Sequence, residues 1–145
     1  MRDSTTYVTV DEMTQRLEEA IAAWNRSDLD AYLTLYDDGV QLHGYTPSPL
    51  GKAAVRGFYE GIFAGLPGSQ LELVDVFGSG EKLVARFVQR GRHDGPLMGV
   101  PPTGRDIALN GITVMTFRDG RVVERWSAAD MLGLLVQIGA VPALA

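Results

Sequence analysis

The sequence predicts an α+β domain in which N-terminal helices cover one face of a curved antiparallel β-sheet. In the first half of the chain, up to residue 63, most apolar residues recur at helical spacing. From residue 70 onward they alternate with a period of two, which is typical of strands. Short turns join these strands, so most neighbours should pair antiparallel, and helices grouped ahead of a sheet pack on one of its faces. Such a bent sheet would enclose a cone-shaped cavity suited to a small apolar ligand.

Three amphipathic helices are predicted first, at residues 9–24, 28–36 and 54–63. Thr9 and Glu12 form the T-x-x-E pattern of a capping box at the first of them. Ser27 and Asp28 interrupt that helix and can cap the next one, so these two helices should pack as an angled pair. Glycine and proline at 65–68 stop the third helix.

Five strands are predicted at residues 40–45, 71–77, 82–92, 107–117 and 121–126, followed by a short helix at 130–138. Asp119-Gly120, between the last two strands, is one of the strongest hairpin signals that a sequence offers. Residues 94–104 contain three prolines and three glycines and are predicted to form a loop. Residues 1–8 are expected to be a loose lead-in.

The composition argues against several functional classes. At 145 residues the chain is expected to form one domain, residues 1–145. Its formal net charge is -5 and it has no run of lysine or arginine, so a nucleic-acid surface is not expected. It has no cysteine, which excludes disulfides, thiolate metal sites and cysteine nucleophiles. The N-terminal residues lack the apolar core of a signal peptide, and no stretch approaches the ~18 apolar residues of a membrane span. We therefore expect a cytoplasmic protein with no nucleic-acid or membrane partner.

Asp130 is the leading candidate for chemistry. It lies four residues after Trp126 and opens an apolar helix, and no residue nearby in the sequence neutralises it. One interpretation is a helix N-cap, a position that aspartate favours. The other is a general base, which needs apolar surroundings that raise its pKa toward the working pH. A spacing of four puts Trp126 and Asp130 on a similar side of the chain, so both are expected at an enclosed apolar pocket.

Four further polar residues are candidates for contacting a substrate. His43 and His93 share strand parity with apolar neighbours, so each is either structural or able to hydrogen-bond a substrate carbonyl or relay a proton. Asn110 lies within an apolar strand and is predicted to be a buried amide, either a structural bridge or an oxyanion donor. Arg105 follows a Pro-Pro-Thr-Gly loop and is either solvated or, at a cavity rim, able to hold a carboxylate or an enolate oxygen.

Trp24, Tyr36 and Phe58 are predicted to pack between the helices and the sheet and are candidates for lining the pocket. Other kinds of site have little support. No close-spaced ligand pair predicts a metal triad, the glycines lack a phosphate-loop spacing, and Ser127 lacks the motifs of a catalytic triad. We therefore expect no metal and no cofactor, and a small hydrophobic molecule as the ligand.

The order of the elements and six short segments resemble the SnoaL-like polyketide cyclases of the ester cyclase subtype. That family lies within the larger group that includes nuclear transport factor 2 and ketosteroid isomerase. The matching segments are residues 42–44, 91–95, 101–105, 111–112, 119–126 and 130–139. The resemblance covers most of the chain from residue 11 to residue 142 and implies the cone-shaped fold of nuclear transport factor 2, the NTF2-like fold.

The resemblance also implies an activity, namely cofactor-free ring closure of a polyketide by intramolecular aldol condensation. The family's acid/base aspartate follows a Trp-x-x-x-Asp spacing and falls on Asp130. The chain departs from the family at Thr116, where a cyclase-type histidine is expected fourteen residues before that aspartate. This departure concerns which reaction the resemblance implies more than where it places the site.

We therefore expect a cofactor-independent cyclase or isomerase that acts by acid/base chemistry on a small hydrophobic carbonyl compound. Asp130 would remove a proton, and His93, His43 or Asn110 would polarise the carbonyl. Two alternatives stay open: a non-catalytic ligand-binding or dimerisation module, and an epoxide or ester hydrolase that holds a water beside the aspartate. A homodimer is also expected, because Val88 and Val114 would otherwise leave an apolar sheet face exposed.

Overall fold

The computed structural model describes residues 8–143 and confirms the predicted α+β class. The elements are α1 (Val10–Asn25), α2 (Leu29–Leu33), β1 (Tyr36–His43), α3 (Lys52–Gly65), β2 (Gln70–Ser79), β3 (Lys82–Arg92), β4 (Asp106–Arg118), β5 (Arg121–Ala129) and α4 (Met131–Gln137). Thr9 caps α1 by accepting a hydrogen bond from the Glu12 amide, and Asp28 caps α2 in the same way. The lead-in predicted for residues 1–8 lies, apart from Val8, outside the described residues.

The five strands form one curved sheet in the order β1-β5-β4-β3-β2. Strands β2 to β5 pair antiparallel as predicted, and the β4–β5 hairpin turns at Asp119 and Gly120, both with positive φ. The β1–β5 pair is parallel, which departs from the predicted antiparallel sheet. The reason is topological, because α3 and three strands separate β1 from β5 and leave the chain free to return in the same direction.

The second helix is shorter than predicted. It ends at Leu33, and Tyr36 begins strand β1, so assigning Tyr36 to a helical face was wrong. The cause is pairing with the last strand: Tyr36 lies opposite Val122, whose amide donates to the Leu35 carbonyl at 2.8 Å. Residues 37–39, predicted to end the helix, therefore continue the strand.

The helices cover one face of the sheet and form two buried clusters with it. The larger cluster joins α1, α2 and α3 to the inner residues of β1, β3, β4 and β5. The smaller one joins the start of β4 to α4 and to the loop that follows β3, through Ile107, Leu109, Leu134, Ile138 and Leu97. Within residues 8–143 no helix is both long and apolar enough to cross a membrane.

Strand β5 contains a β-bulge that decides which of its side chains face the helices. Phe117 pairs with Val122 and Thr116 pairs with Glu124, so Val123 is an extra residue on the β5 side. An extra residue reverses the alternation of faces along the rest of the strand. Arg125 consequently faces the helices and is buried, whereas Trp126 faces outward with 56% of its surface exposed.

The close approach of β1 to β5 beyond this bulge depends on Gly44. Its φ is +91°, and a Cβ there would lie 1.9 Å from the Ser127 carbonyl oxygen. We expect Gly44→Ala to lower the free energy of unfolding by at least about 2 kcal/mol, because strain and a backbone clash combine. Chemical denaturation measures this. Gly57→Ala in α3 is the matched control, since its Cβ would meet nothing within 4 Å. This substitution should raise the free energy of unfolding by about 0.5–1 kcal/mol. Equal unfolding midpoints for Gly44→Ala and the wild type would contradict the close approach.

Candidate functional site

An open cavity of about 610 Å³ lies between the helices and the inner face of the sheet. Its wall draws on both buried clusters, with Leu17 and Trp24 from one and Leu109 and Leu134 from the other. Lining residues with large exposed fractions mark its mouth, namely Phe58, Met98, Ala128 and Met131. A cavity of this size and apolar character suits a small ring compound.

A small polar group lies on one wall of this apolar cavity. Among the described residues, Arg125 is the only charged side chain in the lining, and only 6% of its surface is exposed. Its Nε donates to the hydroxyls of Thr113 at 2.8 Å and Ser127 at 3.2 Å, and its Nη1 donates to those of Tyr32 at 3.0 Å and Tyr36 at 2.7 Å. All four acceptors are neutral. The wall therefore combines one cation with several hydroxyl groups.

The tyrosines around Arg125 are hydrogen-bonded to it or to one another and differ in acidity. The Tyr59 hydroxyl is hydrogen-bonded to the hydroxyls of Tyr36 and Tyr45. Burial raises the pKa of Tyr36 and of Tyr59 well above the ordinary value. Burial also opposes ionisation of Tyr32, but the charge of Arg125 and its hydrogen bond outweigh burial and leave the Tyr32 pKa lowered. Tyr32 therefore ionises more readily than Tyr36 and Tyr59.

Asp130 lies at the mouth of the cavity but does not line it. Its side chain caps α4 by accepting a hydrogen bond from the Gly133 amide at 2.9 Å, and the residue is exposed. The expectation of an enclosed apolar environment for this carboxylate is therefore wrong. Its neighbours Ala129 and Met131 do line the cavity. The N-cap interpretation of Asp130 is confirmed, and the general-base interpretation stays a prediction.

Trp126 and His43 lie on the outer side of the sheet and do not line the cavity. Their rings stack with centroids 3.9 Å apart, and His43 Nε2 lies 3.0 Å from Glu124 Oε2. The Val123 bulge explains the outward position of Trp126, so the expectation that Trp126 lies at an enclosed apolar pocket is wrong. Trp126 and Asp130 are both exposed.

His93 is fully buried but lies apart from the cavity lining. Its Nδ1 is 2.9 Å from the Thr103 hydroxyl and accepts a hydrogen bond from the Thr103 amide at 3.3 Å. The second nitrogen, Nε2, has no partner among the described residues. This geometry ties the 94–104 loop to the end of β3. Within residues 8–143 no three histidine, aspartate or glutamate side chains group in a way that could hold a metal ion.

Asn110 and Arg105 also lie outside the cavity. Asn110 points away from the helices and is exposed, so the buried amide predicted there is wrong, because Leu109 rather than Asn110 has the inward parity on β4. Arg105 is exposed, and its Nη1 donates to the Gln137 carbonyl at 3.2 Å near the end of α4. It holds the last helix against the loop.

The three predicted aromatic residues lie at or beside the cavity. Trp24 and Phe58 line it, and Trp24 stacks on Phe63 while its Nε1 donates to the Ser69 hydroxyl. Tyr36 is fully buried behind the wall, where its hydroxyl is hydrogen-bonded to two residues that line the cavity, Arg125 and Tyr59. Arg125 was missed as a site residue, and the sequence did not separate Tyr32 and Tyr59, which line the cavity, from aromatic residues of the core. The missing signal was the bulge, which ordinary strand periodicity does not reveal.

The lowered pKa of Tyr32 can be tested by alkaline titration. We expect one tyrosine to ionise below the ordinary pKa of about 10 and this early step to disappear in Tyr32→Phe, while Tyr45→Phe retains it. Ultraviolet absorbance of the tyrosinate measures the ionisation step in the wild type and in each variant. Because the folded-state pKa is lower than the unfolded one, the contribution of Tyr32 ionisation to stability is present above about pH 10 and lost as the pH falls through the folded-state pKa. An early step that survives in Tyr32→Phe would contradict the assignment.

Several known proteins resemble this chain in sequence or in fold. A nogalonic acid methyl ester cyclase from Streptomyces nogalater is 31% identical to this chain over 97 residues, which are 67% of this chain and 71% of that protein. AclR from Streptomyces galilaeus, suggested to be a hydroxylase, has a TM-score of 0.87 and 28% identity, covering 94% of this chain and 87% of that chain. TsrD from Streptomyces laurentii has a TM-score of 0.83 and 26% identity, covering 92% and 99%.

The expected NTF2-like cone is confirmed by these structures. The sequence model of the SnoaL-like polyketide cyclase family matches residues 14–138, which is most of the chain. The chain therefore belongs to the SnoaL-like polyketide cyclase family.

Proposed function

We propose that this protein is a cofactor-independent enzyme of the cyclase or isomerase type that binds a small, mainly apolar carbonyl compound in the cavity. The observation that carries this proposal is the open cavity of about 610 Å³, apolar over most of its wall, with a few hydroxyl and amide groups. Family membership supports the reaction class, since the relative from Streptomyces nogalater is named as a cyclase of a methyl ester.

The reaction that we propose is an intramolecular aldol cyclisation. A base removes a proton from a carbon next to a carbonyl group, the resulting enolate carbon forms a carbon–carbon bond with a second carbonyl of the same molecule, and the alkoxide so formed takes up a proton. The atoms balance without an oxidant or a reductant. Groups that bind the carbonyl oxygens need to lie within the cavity, so we assign this contact to Thr113, Ser127 and Gln89 rather than to His43, His93 or Asn110.

We propose Asp130 as the acid/base residue at the mouth of the cavity. Its resemblance to the family's aspartate supports this role, as does its position in the chain between Ala129 and Met131, which line the cavity. To reach a ligand, the carboxylate would exchange its hydrogen bond to the Gly133 amide for the substrate. Loss of an N-cap costs about 1 kcal/mol, which ligand binding can supply.

A second candidate function is ligand binding without chemistry. The observation in its favour is that, within residues 8–143, no carboxylate and no histidine lines the cavity. No specific observation favours an epoxide or ester hydrolase. A cytoplasmic location remains a prediction.

Substitution of Asp130 separates these two functions. We expect Asp130→Asn to lower kcat/KM by about 100-fold or more, because it removes the base. Asparagine also caps helices, so the free energy of unfolding should change by less than about 0.5 kcal/mol. Nogalonic acid methyl ester is the trial substrate, followed by absorbance. Asp130→Ala is the comparison variant and should lose both turnover and about 1 kcal/mol of stability. Turnover within about tenfold of the wild type in Asp130→Asn would contradict the acid/base role.

We also propose that the protein forms a homodimer through the outer face of the sheet. Val88 is buried and Val114 is half-buried, so the expectation that these two residues leave an apolar sheet face exposed is wrong. Ile112 and Trp126 are instead the exposed apolar residues on β4 and β5, with 43% and 56% of their surfaces exposed.

Analytical ultracentrifugation tests the dimer. We expect twice the chain mass of 15.7 kDa for the wild type and a shift toward the chain mass for Ile112→Glu, because a buried unpaired charge disfavours the interface. Glu72→Gln, on the edge strand β2, is a control that should leave the mass unchanged. A wild type that sediments at the mass of one chain at micromolar concentration would contradict the dimer.

A further inference from the structure

Arg125 is a buried cation that has no anionic partner. Its hydrogen bonds go to the hydroxyls of Tyr32, Tyr36, Thr113 and Ser127, none of which carries a formal charge in its ordinary state. Among residues 8–143 no carboxylate oxygen lies within 4.0 Å of the guanidinium. A buried charge is costly unless it is paired, so this arrangement leaves a positive potential in a mostly apolar cavity.

Part of the guanidinium is available for a ligand. The hydrogen bonds use the Nε donor and the Nη1 donors, and Nη2 makes no hydrogen bond to a described residue. Among the described residues, His93 Nε2 is the only fully buried side-chain nitrogen or oxygen that lacks a hydrogen-bond partner. Arg125 Nη2 also lacks a partner, so it is not fully buried and is accessible. Because Arg125 is otherwise buried and lines the cavity, the open space at Nη2 is the cavity itself.

We propose that Arg125 binds an ionised oxygen of the ligand, so that the substrate class is an apolar ring compound carrying a carboxylate or an acidic enol. This inference rests on the proposed function and deepens it, because it identifies which part of the substrate lies against the inner wall. Two oxyanions share this chemistry, a carboxylate that is ionised before binding and the enolate of a β-dicarbonyl unit. Either would accept charge-assisted hydrogen bonds from Nη2.

The neighbouring hydroxyls favour the same ligand. Tyr32 and Tyr36 fix one edge of the guanidinium, while Thr113 and Ser127 fix Nε, so the group is held in place before a ligand arrives. A pre-ordered donor loses little conformational entropy on binding. It also stabilises negative charge that conjugation carries from the deprotonated carbon to a distant oxygen of the same substrate. Arg125 can therefore bind either a carboxylate of the substrate or an enolate oxygen that is conjugated with the reacting carbon.

The test compares matched probes on the full wild-type chain. Anthracene-2-carboxylate and its methyl ester differ only in the charge of one group, and 2-phenylindane-1,3-dione supplies an enolate at neutral pH. Fluorescence titration of the two anthracenes and competition by the dione give the affinities. We expect the carboxylate to bind about 10- to 100-fold more tightly than the ester, as charge-assisted hydrogen bonds imply, and we expect the dione to compete. An ester that binds as tightly as the carboxylate would overturn the proposal. A preference for the carboxylate without competition by the dione would restrict the class to carboxylates.

Variants assign the preference to Arg125. Arg125→Met should lose the preference for the carboxylate while keeping ester affinity within about threefold, and Arg125→Lys, which keeps the charge, should restore part of it. Arg121→Met is the matched control, an exposed arginine on the same strand, and should bind like the wild type. A folded Arg125→Met that retains the full preference would contradict the assignment.

A wild-type measurement keeps the test valid if the variants fail to fold. The NMR signal of the Arg125 Nε–Hε group, assigned through its own side-chain carbons, should shift on saturation with the carboxylate and stay in place with the ester. No shift with the carboxylate would overturn the proposal. The outcomes also separate this inference from the proposed function: equal binding of acid and ester contradicts only the anion site, whereas binding of neither probe contradicts the cavity's proposed use as well.

Discussion

The extra residue at Val123 is the constraint on which the inner wall of the cavity depends. Without it, the alternation that buries Val122 would also turn Glu124 and Trp126 toward the helices and leave Arg125 outside. With it, Arg125 pairs with Met115 and Ser127 pairs with Thr113, all on the inner face. A single insertion in one strand therefore replaces an acidic and aromatic wall by a cationic wall with hydroxyl groups. Bulges of this kind occur where a sheet must direct a side chain to a functional place.

The hydrogen bonds of Arg125 also connect elements that are distant in sequence. Tyr32 lies on α2, Tyr36 on β1 and Tyr59 on α3, and their hydroxyls meet at or next to the guanidinium. Desolvation of the buried guanidinium offsets much of what its hydrogen bonds contribute, so the net gain in stability is smaller than four hydrogen bonds suggest. The arginine is therefore better explained by what it can hold in the cavity than by the stability that it supplies to the fold.

Much of the fold could be predicted from the sequence, because its signals are local. The helical stripe capped at Thr9 and the Asp119-Gly120 turn each depend on neighbours within a few residues, and both were correct. The errors arose where a distant strand decides the outcome. Tyr36 has helical spacing after Leu29 but pairs with Val122, about 90 residues away, and that pairing overrides the local preference.

The candidate site was harder to predict for the same reason. Trp24 and Phe58 were found because large aromatic residues on helix faces pack inward, and here they reach the cavity. Arg125 was missed because its inward direction follows from the bulge, and an arginine in an alternating strand is ordinarily expected in solvent. Asp130 was identified by its place ahead of an apolar helix and by resemblance, but its exposure depends on how α4 begins, and a capping carboxylate next to the Gly133 amide is the local optimum.

The positions of Arg125 and Asp130 on one continuous segment restrict the ligand. Ser127, Ala128 and Ala129 line the cavity between them, so this stretch of β5 runs from the buried wall to the mouth. Five residues of extended strand span roughly 16 Å, so the Cα atoms of Arg125 and Asp130 lie at most about that far apart. A ligand of several fused rings could touch Arg125 with one end and Asp130 with the other. The enclosed end would then hold the negative charge of the substrate, and the exposed end would exchange protons with water, so that each group works where its surroundings favour its charge.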